Sequence, residues 1–179
     1  MKFALISIGN EESYGLLFVG GELLIYNQEI KFFDAEESDI HKKIITWNPD
    51  YIAFSPMSLF FNQTLKILKP VKKALPSCKS IYGGHHAIAD PDIINNDLID
   101  FVVVGPVRGS IQKILNNEYG VIKICPTQPA DLPMPSRKEY YCDIPRIAKR
   151  YRKVMISLFG CPWNCSYCSS SSKKIPNVF

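Results

Sequence analysis

The sequence predicts an α/β fold: a doubly wound, mostly parallel sheet of five strands with helices between them. Short apolar runs bounded by turn residues alternate with stretches of helical periodicity. The alternation recurs roughly every 20–25 residues, the spacing of βαβ units and a parallel sheet. Composition agrees, because 46% hydrophobic and 21% charged residues are ordinary values for a globular chain. Disorder as the main state, a collagen-like chain and a low-complexity chain are excluded.

Residues 2–8, KFALISI, form an apolar run that ends at Gly9-Asn10, as expected of a strand buried on both faces. Residues 28–34 read as a second strand. Residues 36–46 read as a helix, with Ile40, Ile44 and Ile45 at helical spacing. Its acids come early and its lysines late, as the helix dipole prefers. Asn48-Pro49-Asp50 is a turn, and Tyr51–Phe54 a third strand ending at Ser55-Pro56. Residues 57–74 form the strongest helical pattern, with Leu59, Leu65, Ile67, Leu68, Val71 and Ala74 on its apolar face. Pro70 is expected to kink or stop it. A fourth strand, Lys79–Tyr82, runs into Gly83-Gly84, and a short helix follows Pro91. Residues 100–104 are a fifth strand before Gly105. Residues 110–117 are a helix, and 120–124 a last short strand. The α/β domain is placed at residues 1–124.

Pro126, Pro129, Pro133 and Pro135 then fall within ten residues. Proline fixes φ and removes a donor, so no regular element is expected there. Residues 125–152 are read as a proline-rich and basic linker. Its stretch RIAKRYRK (146–153) holds five basic residues. A solvated linker face is the preferred reading and a nucleic-acid arm the alternative. The net charge of +4, from 21 Lys+Arg and 17 Asp+Glu, is too mild to argue for nucleic acid. No apolar run approaches the roughly 18–20 residues of a membrane span. The start, MKFALISIGN, turns polar too soon for a secretion leader. Six cysteines without such a leader argue for metal or reactive thiols in a cytoplasmic protein.

Residues 154–159, VMISLF, read as a strand running into Gly160-Cys161-Pro162-Trp163-Asn164-Cys165-Ser166-Tyr167-Cys168. Three thiolates within eight residues can converge on one metal centre, and thiolate is the usual ligand of iron–sulfur clusters and zinc. A closed structural zinc site wants a fourth donor, for which Cys142 is the candidate. A cluster with one iron left open takes a substrate or cofactor instead. Cys78 and Cys125 read as buried strand-end residues.

This GCPxxCxxC loop, with an aromatic residue just before the last cysteine, resembles the signature of radical S-adenosylmethionine enzymes. The resemblance implies a 4Fe–4S cluster held by Cys161, Cys165 and Cys168. It places S-adenosylmethionine on the fourth iron and Tyr167 near the adenine. It further implies reductive cleavage to a 5′-deoxyadenosyl radical, an electron donor such as flavodoxin or ferredoxin, and a small-molecule or peptide substrate. Residues 153–179 would begin the radical barrel. Such barrels need roughly 200 residues, and only 11 follow Cys168, so the chain reads as the N-terminal part of a longer enzyme.

An α/β domain, a proline-rich linker and this cysteine loop, in that order, resemble the cobalamin-binding subclass of that family, whose N-terminal domain is Rossmann-like. NPDYIAFSPMS, IYGGHHAIADPD, DFVVVG and DLPMPSR look like its third strand, its Gly-Gly-x-His segment, its fifth strand and its linker. Ser55-Pro56-Met57 precedes Gly83 by 25 residues, close to the spacing of the Ser-x-Leu and Gly-Gly motifs in cobalamin domains. The resemblance therefore implies a cobalamin site near Asn10, Glu12, Ser55, Gly83, Gly84, His85 and Gly105. Glu12 stands where typical cobalamin domains place the cobalt-ligating histidine. Gly105-Pro106-Val107-Arg108-Gly109 replaces the family's usual Gly-Glu-Gly-Glu. The implied function is methyl transfer or radical rearrangement. A non-catalytic cobalamin-binding or docking module and a zinc-stabilised α/β domain are the alternatives.

Overall fold

A computed structural model describes residues 1–124, 132–155 and 165–167. Its centre is one six-stranded sheet in the order β2-β1-β3-β4-β5-β6. The strands are β1 (Lys2–Ser7), β2 (Glu29–Asp34), β3 (Tyr51–Phe54), β4 (Lys79–Tyr82), β5 (Phe101–Val104) and β6 (Gly120–Lys123). Every pairing is parallel. The sheet is thus the expected doubly wound, Rossmann-like one, with the short last strand paired to β5 as a sixth member.

Seven helices flank it among the described residues: α1 (Tyr14–Ile25), α2 (Ile40–Trp47), α3 (Phe61–Ala74), α4 (Gly84–Ala89), α5 (Ser110–Leu115), α6 (Arg137–Asp143) and α7 (Pro145–Ala148). The alternation of side chains along a strand divides the core in two. Phe3 and Leu5 of β1 face Leu16, Leu17 and Leu23 of α1, Ile111 and Ile114 of α5, and Tyr140 and Ile147 of α6 and α7. Ala4 and Ile6 face the other way, onto Ile40 and Ile44 of α2 and Ile67, Leu68 and Val71 of α3. Both sheet faces are covered, which explains why the strands read as continuous apolar runs.

Four local expectations change. No element was expected between Gly9 and Gln28, and α1 occupies that stretch. Its sequence, YGLLFVGGELLI, is apolar on almost every side, so it carries no amphipathic stripe. Helix α3 passes through Pro70 and ends at Ala74, because the buried Leu68 and Val71 hold both sides of the proline in the core. Leu59, assigned to the helical face, lies in a 3₁₀ turn and is 84% exposed. The stretch read as a linker supplies α6 and α7, and Tyr140, Ile144 and Ile147 there are at most 1% exposed. The expected strand at 154–159 lies almost wholly outside the described residues, as does most of the proline-rich run.

Candidate functional site at the carboxyl edge of the sheet

The sheet order places β1 between β2 and β3, so the chain winds outward in opposite directions from β1 and β3. In open α/β sheets this switch point, beyond the carboxyl ends of the strands, is where ligands bind. Ser7 to Ser13 follow β1 there, Ser55 to Ser58 follow β3, and Gly83-Gly84 follow β4.

The β3 and β4 loops are stitched together. The Gly83 N–H donates to the Phe54 carbonyl at 2.9 Å, and the His86 N–H to the Pro56 carbonyl at 3.2 Å. His86 Nδ1 lies 3.0 Å from Ser58 Oγ, with its ring against Phe61 at 4.3 Å between centroids. Gly84 has φ +77°, a left-handed conformation that glycine adopts without strain. A Cβ at Gly84 would fall 2.4 Å from Ser55 Oγ, and one at Gly15 would fall 2.5 Å from the same atom. The Ser55 hydroxyl is therefore held between two glycines, half-buried, with no hydrogen bond among the described residues. At Gly83 nothing approaches a built Cβ closer than 3.8 Å. A free hydroxyl beside backbone that a ligand can approach closely fits a polar tail inserted at this edge.

The other candidates lie in different surroundings. His85 is exposed. Gly105 has φ +116°, and a Cβ there would strike the Ile124 carbonyl oxygen at 2.3 Å, so that glycine accommodates the chain leaving β6. Asn10 and Glu12 are engaged by the segment that follows the proline-rich run. Asn10 Oδ1 accepts from Arg146 Nη1 at 2.8 Å, and its carbonyl accepts from Arg150. Glu12 pairs with Arg137 at 2.9 Å and accepts from Tyr141 Oη at 2.5 Å. Burial alone would raise the Glu12 pKa. The hydrogen bonds from Tyr141, the Val154 N–H and Arg137, together with the Arg137 charge, outweigh it and hold the carboxyl below its usual value.

The same segment clasps the β1 and β2 ends. Tyr140 Oη lies 2.6 Å from Ser7 Oγ and accepts from the Ser13 N–H at 3.3 Å. Arg146 forks onto Asp34 at 2.8 and 2.9 Å and donates to the Gly9 carbonyl at 3.1 Å. Asp143 Oδ2 accepts from the Phe32 N–H at 2.8 Å, which caps a donor on the outer edge of β2. A recess of about 250 Å³ opens between Asp34, Glu36, Asp143 and Arg146. It is smaller than the usual ligand pocket, and neither Ser55 nor the glycine pair lines it. Sequence reasoning missed Arg137, Tyr140, Tyr141 and Arg146. No local signal pointed to them, because their partners Glu12, Ser7 and Asp34 lie more than a hundred positions away in sequence.

Of the three cysteines in the CxxxCxxC loop, Cys165 is described, half-buried and unpaired. Cys161 and Cys168 lie outside the described residues. Tyr167 is 90% exposed. Cys142, on α6, is exposed and free. Cys78 is buried beneath α3, and burial pushes its thiol up to about 11, an inert state at neutral pH. Among the described residues no three His, Cys, Asp or Glu side chains are grouped to hold a metal, and no helix is long and apolar enough to cross a membrane.

The chain is similar to the hopanoid C-3 methylase of Methylococcus capsulatus, with 25% identity over 193 aligned positions. Those positions cover 89% of this chain and 36% of the methylase, so the chain spans little more than a third of that relative's length. No family model matches the sequence.

Proposed function

We propose that this chain is the N-terminal part of a radical S-adenosylmethionine methyltransferase that uses cobalamin as its second cofactor. The observation that carries the reading is the spacing of Cys161, Cys165 and Cys168 behind Gly160 and around Pro162. Similarity to a methylase along most of the chain supports it, as does the Ser55–Gly84 cradle at the switch point of the sheet. Fold alone would not assign this function.

When bound, the cluster supplies one-electron cleavage of S-adenosylmethionine, and cobalamin supplies a transferable methyl group; the cofactors carry the hard chemistry. The chain's own part is to bind and orient. The thiolates of Cys161, Cys165 and Cys168 would hold the cluster. Ser55 Oγ would offer a hydrogen bond to the nucleotide tail of cobalamin, and Gly83, where nothing lies closer than 3.8 Å to a built Cβ, would let that tail approach the backbone. Glu12 stands where a cobalt-ligating histidine is typical, so no histidine is assigned as lower ligand of cobalt; His86, whose Nδ1 meets Ser58, keeps a buried Nε2 with no hydrogen-bond partner among the described residues.

Anaerobic reconstitution of the whole natural protein with iron and sulfide tests this. Four irons per chain and the broad visible absorbance of an iron–sulfur cluster are expected, and both are lost in Cys165→Ala. Wild-type protein that takes up tight zinc and no chromophore would overturn the reading. So would a Cys165→Ala variant that keeps its full iron content.

A further inference from the structure

Glu12 sits in the loop after β1 with its side chain 2% exposed. Besides Arg137 and Tyr141 it holds a third donor, the backbone N–H of Val154, 3.1 Å from Oε2. Arg137 completes the grip, because its Nη2 donates to the Val154 carbonyl. One residue's backbone is thus held at its N–H by the anion and at its C=O by the cation of a single ion pair. Tyr141 Oη bonds both members of the pair, lying 3.1 Å from Arg137 Nη1. Lys153, the preceding residue, donates Nζ to the Ile147 and Ala148 carbonyls at 3.1 and 2.8 Å and sits 4.3 Å over the Tyr141 ring. Around this point the chain is otherwise open to solvent: Tyr151, Arg152, Lys153 and Met155 are all exposed.

A buried ion pair is a weak source of stability, since desolvation offsets most of the attraction; fixing one geometry is its better-attested use. We propose that Glu12 and Arg137 are positioning residues, a two-point latch on the Val154 peptide that sets where the chain leaves the α/β domain, seven residues before Cys161. Resting on the iron–sulfur reading, the latch sets the point at the carboxyl edge, which also carries Ser55, Gly83 and Gly84, from which the chain departs toward the cysteine loop. The chain thereby keeps its two cofactor sites in register. Glu12 then stands at the position of the typical cobalt-ligating histidine in order to hold protein backbone.

Hydrogen exchange read by mass spectrometry on the whole natural protein tests the latch, with Glu12→Gln, Arg137→Met and the double variant. The double variant removes both charges, so it avoids an unpaired buried ion and keeps the fold. In all three, exchange of a peptide covering 152–155 should accelerate roughly tenfold to a hundredfold, the loss of a charge-assisted hydrogen bond. Peptides of β1 and β3 should keep their rates. In reconstituted protein the variants should retain full iron, while the electron paramagnetic resonance signal of the reduced cluster with S-adenosylmethionine broadens. Unchanged exchange at 152–155 overturns the latch. Faster exchange with an unaltered cluster signal overturns its positioning role. A wild-type protein that binds no iron removes the cluster reading and this role together, while the exchange data still decide whether the latch exists.

Discussion

The hydroxyl of Ser55 shows how one residue's chemistry depends on its neighbours lacking side chains. Gly15 opens the start of α1 and Gly84 the start of α4, and each leaves room that Ser55 Oγ fills. At Gly84 two penalties meet, the positive φ and the 2.4 Å approach. Gly84→Ala should therefore destabilise the fold by more than the ~1 kcal/mol of an ordinary glycine-to-alanine change, measured by urea denaturation. Ser55→Ala has the opposite profile. It removes an unpaired hydroxyl, should leave the urea midpoint unchanged within about 0.5 kcal/mol, and should weaken cobalamin binding measured by equilibrium dialysis. Normal cobalamin affinity in Ser55→Ala would remove Ser55 from the site.

Helix α1 packs on the sheet beside the segment that carries α6, and its two central glycines let that segment cross it in close contact. A Cβ at Gly21 would fall 2.0 Å from the Met134 carbonyl oxygen, and one at Gly20 would fall 2.1 Å from Ser136 Oγ. Beside that crossing, Ser136 returns both its N–H and its hydroxyl to the Leu17 carbonyl at 3.0 Å. Gly21→Ala cannot be absorbed by a flexible side chain, since the obstacle is backbone. It should lift the crossing segment, cost about 1–3 kcal/mol as overpacking does, and open Arg146 and Arg150 to trypsin while β1 to β5 stay intact. Cleavage at those arginines no faster than in wild type would show that the crossing is not tight. These contacts also explain what the sequence hid. Strands β1, β3 and β5 were legible because each is an apolar run closed by turn residues, and α2 and α3 because they are amphipathic. Helix α1 has no polar face to betray its period. Helices α6 and α7 are short, follow a run of prolines and carry basic residues whose partners, Glu12 and Asp34, lie more than a hundred positions away. The cysteine loop was readable because its ligands are local in sequence, whereas the Glu12–Arg137–Val154 grip is local only in space.

Among the described residues, carboxylates paired with cations sit at both ends of the sheet. At the carboxyl end Glu12 and Asp34 bind Arg137 and Arg146. At the amino end Asp100 holds Lys72 and accepts from the Ser80 N–H at 2.7 Å. For all three, burial pushes the pKa up, but hydrogen bonds and the paired cations win and the folded value lies below the usual one. A carboxylate of this kind binds its proton more readily in the unfolded chain. Its contribution to stability is fully present above the ordinary carboxylate range, about pH 4, and is lost as pH falls through the lowered folded values. Asp143 runs the other way. Burial raises its pKa despite the Phe32 N–H, so its contribution is present below the ordinary range and lost as pH rises through the raised value. Three lowered groups outweigh one raised group, and the urea midpoint should fall steeply below about pH 4. Asp34→Asn should flatten that fall, because one lowered carboxylate no longer titrates and Arg146, 37% exposed, can still reach water. The same substitution should loosen α7 from the ends of β1 and β2 at neutral pH, read as faster hydrogen exchange at 144–150. A pH profile of Asp34→Asn parallel to that of wild type would show that the Arg146–Asp34 fork adds nothing to the acid limb.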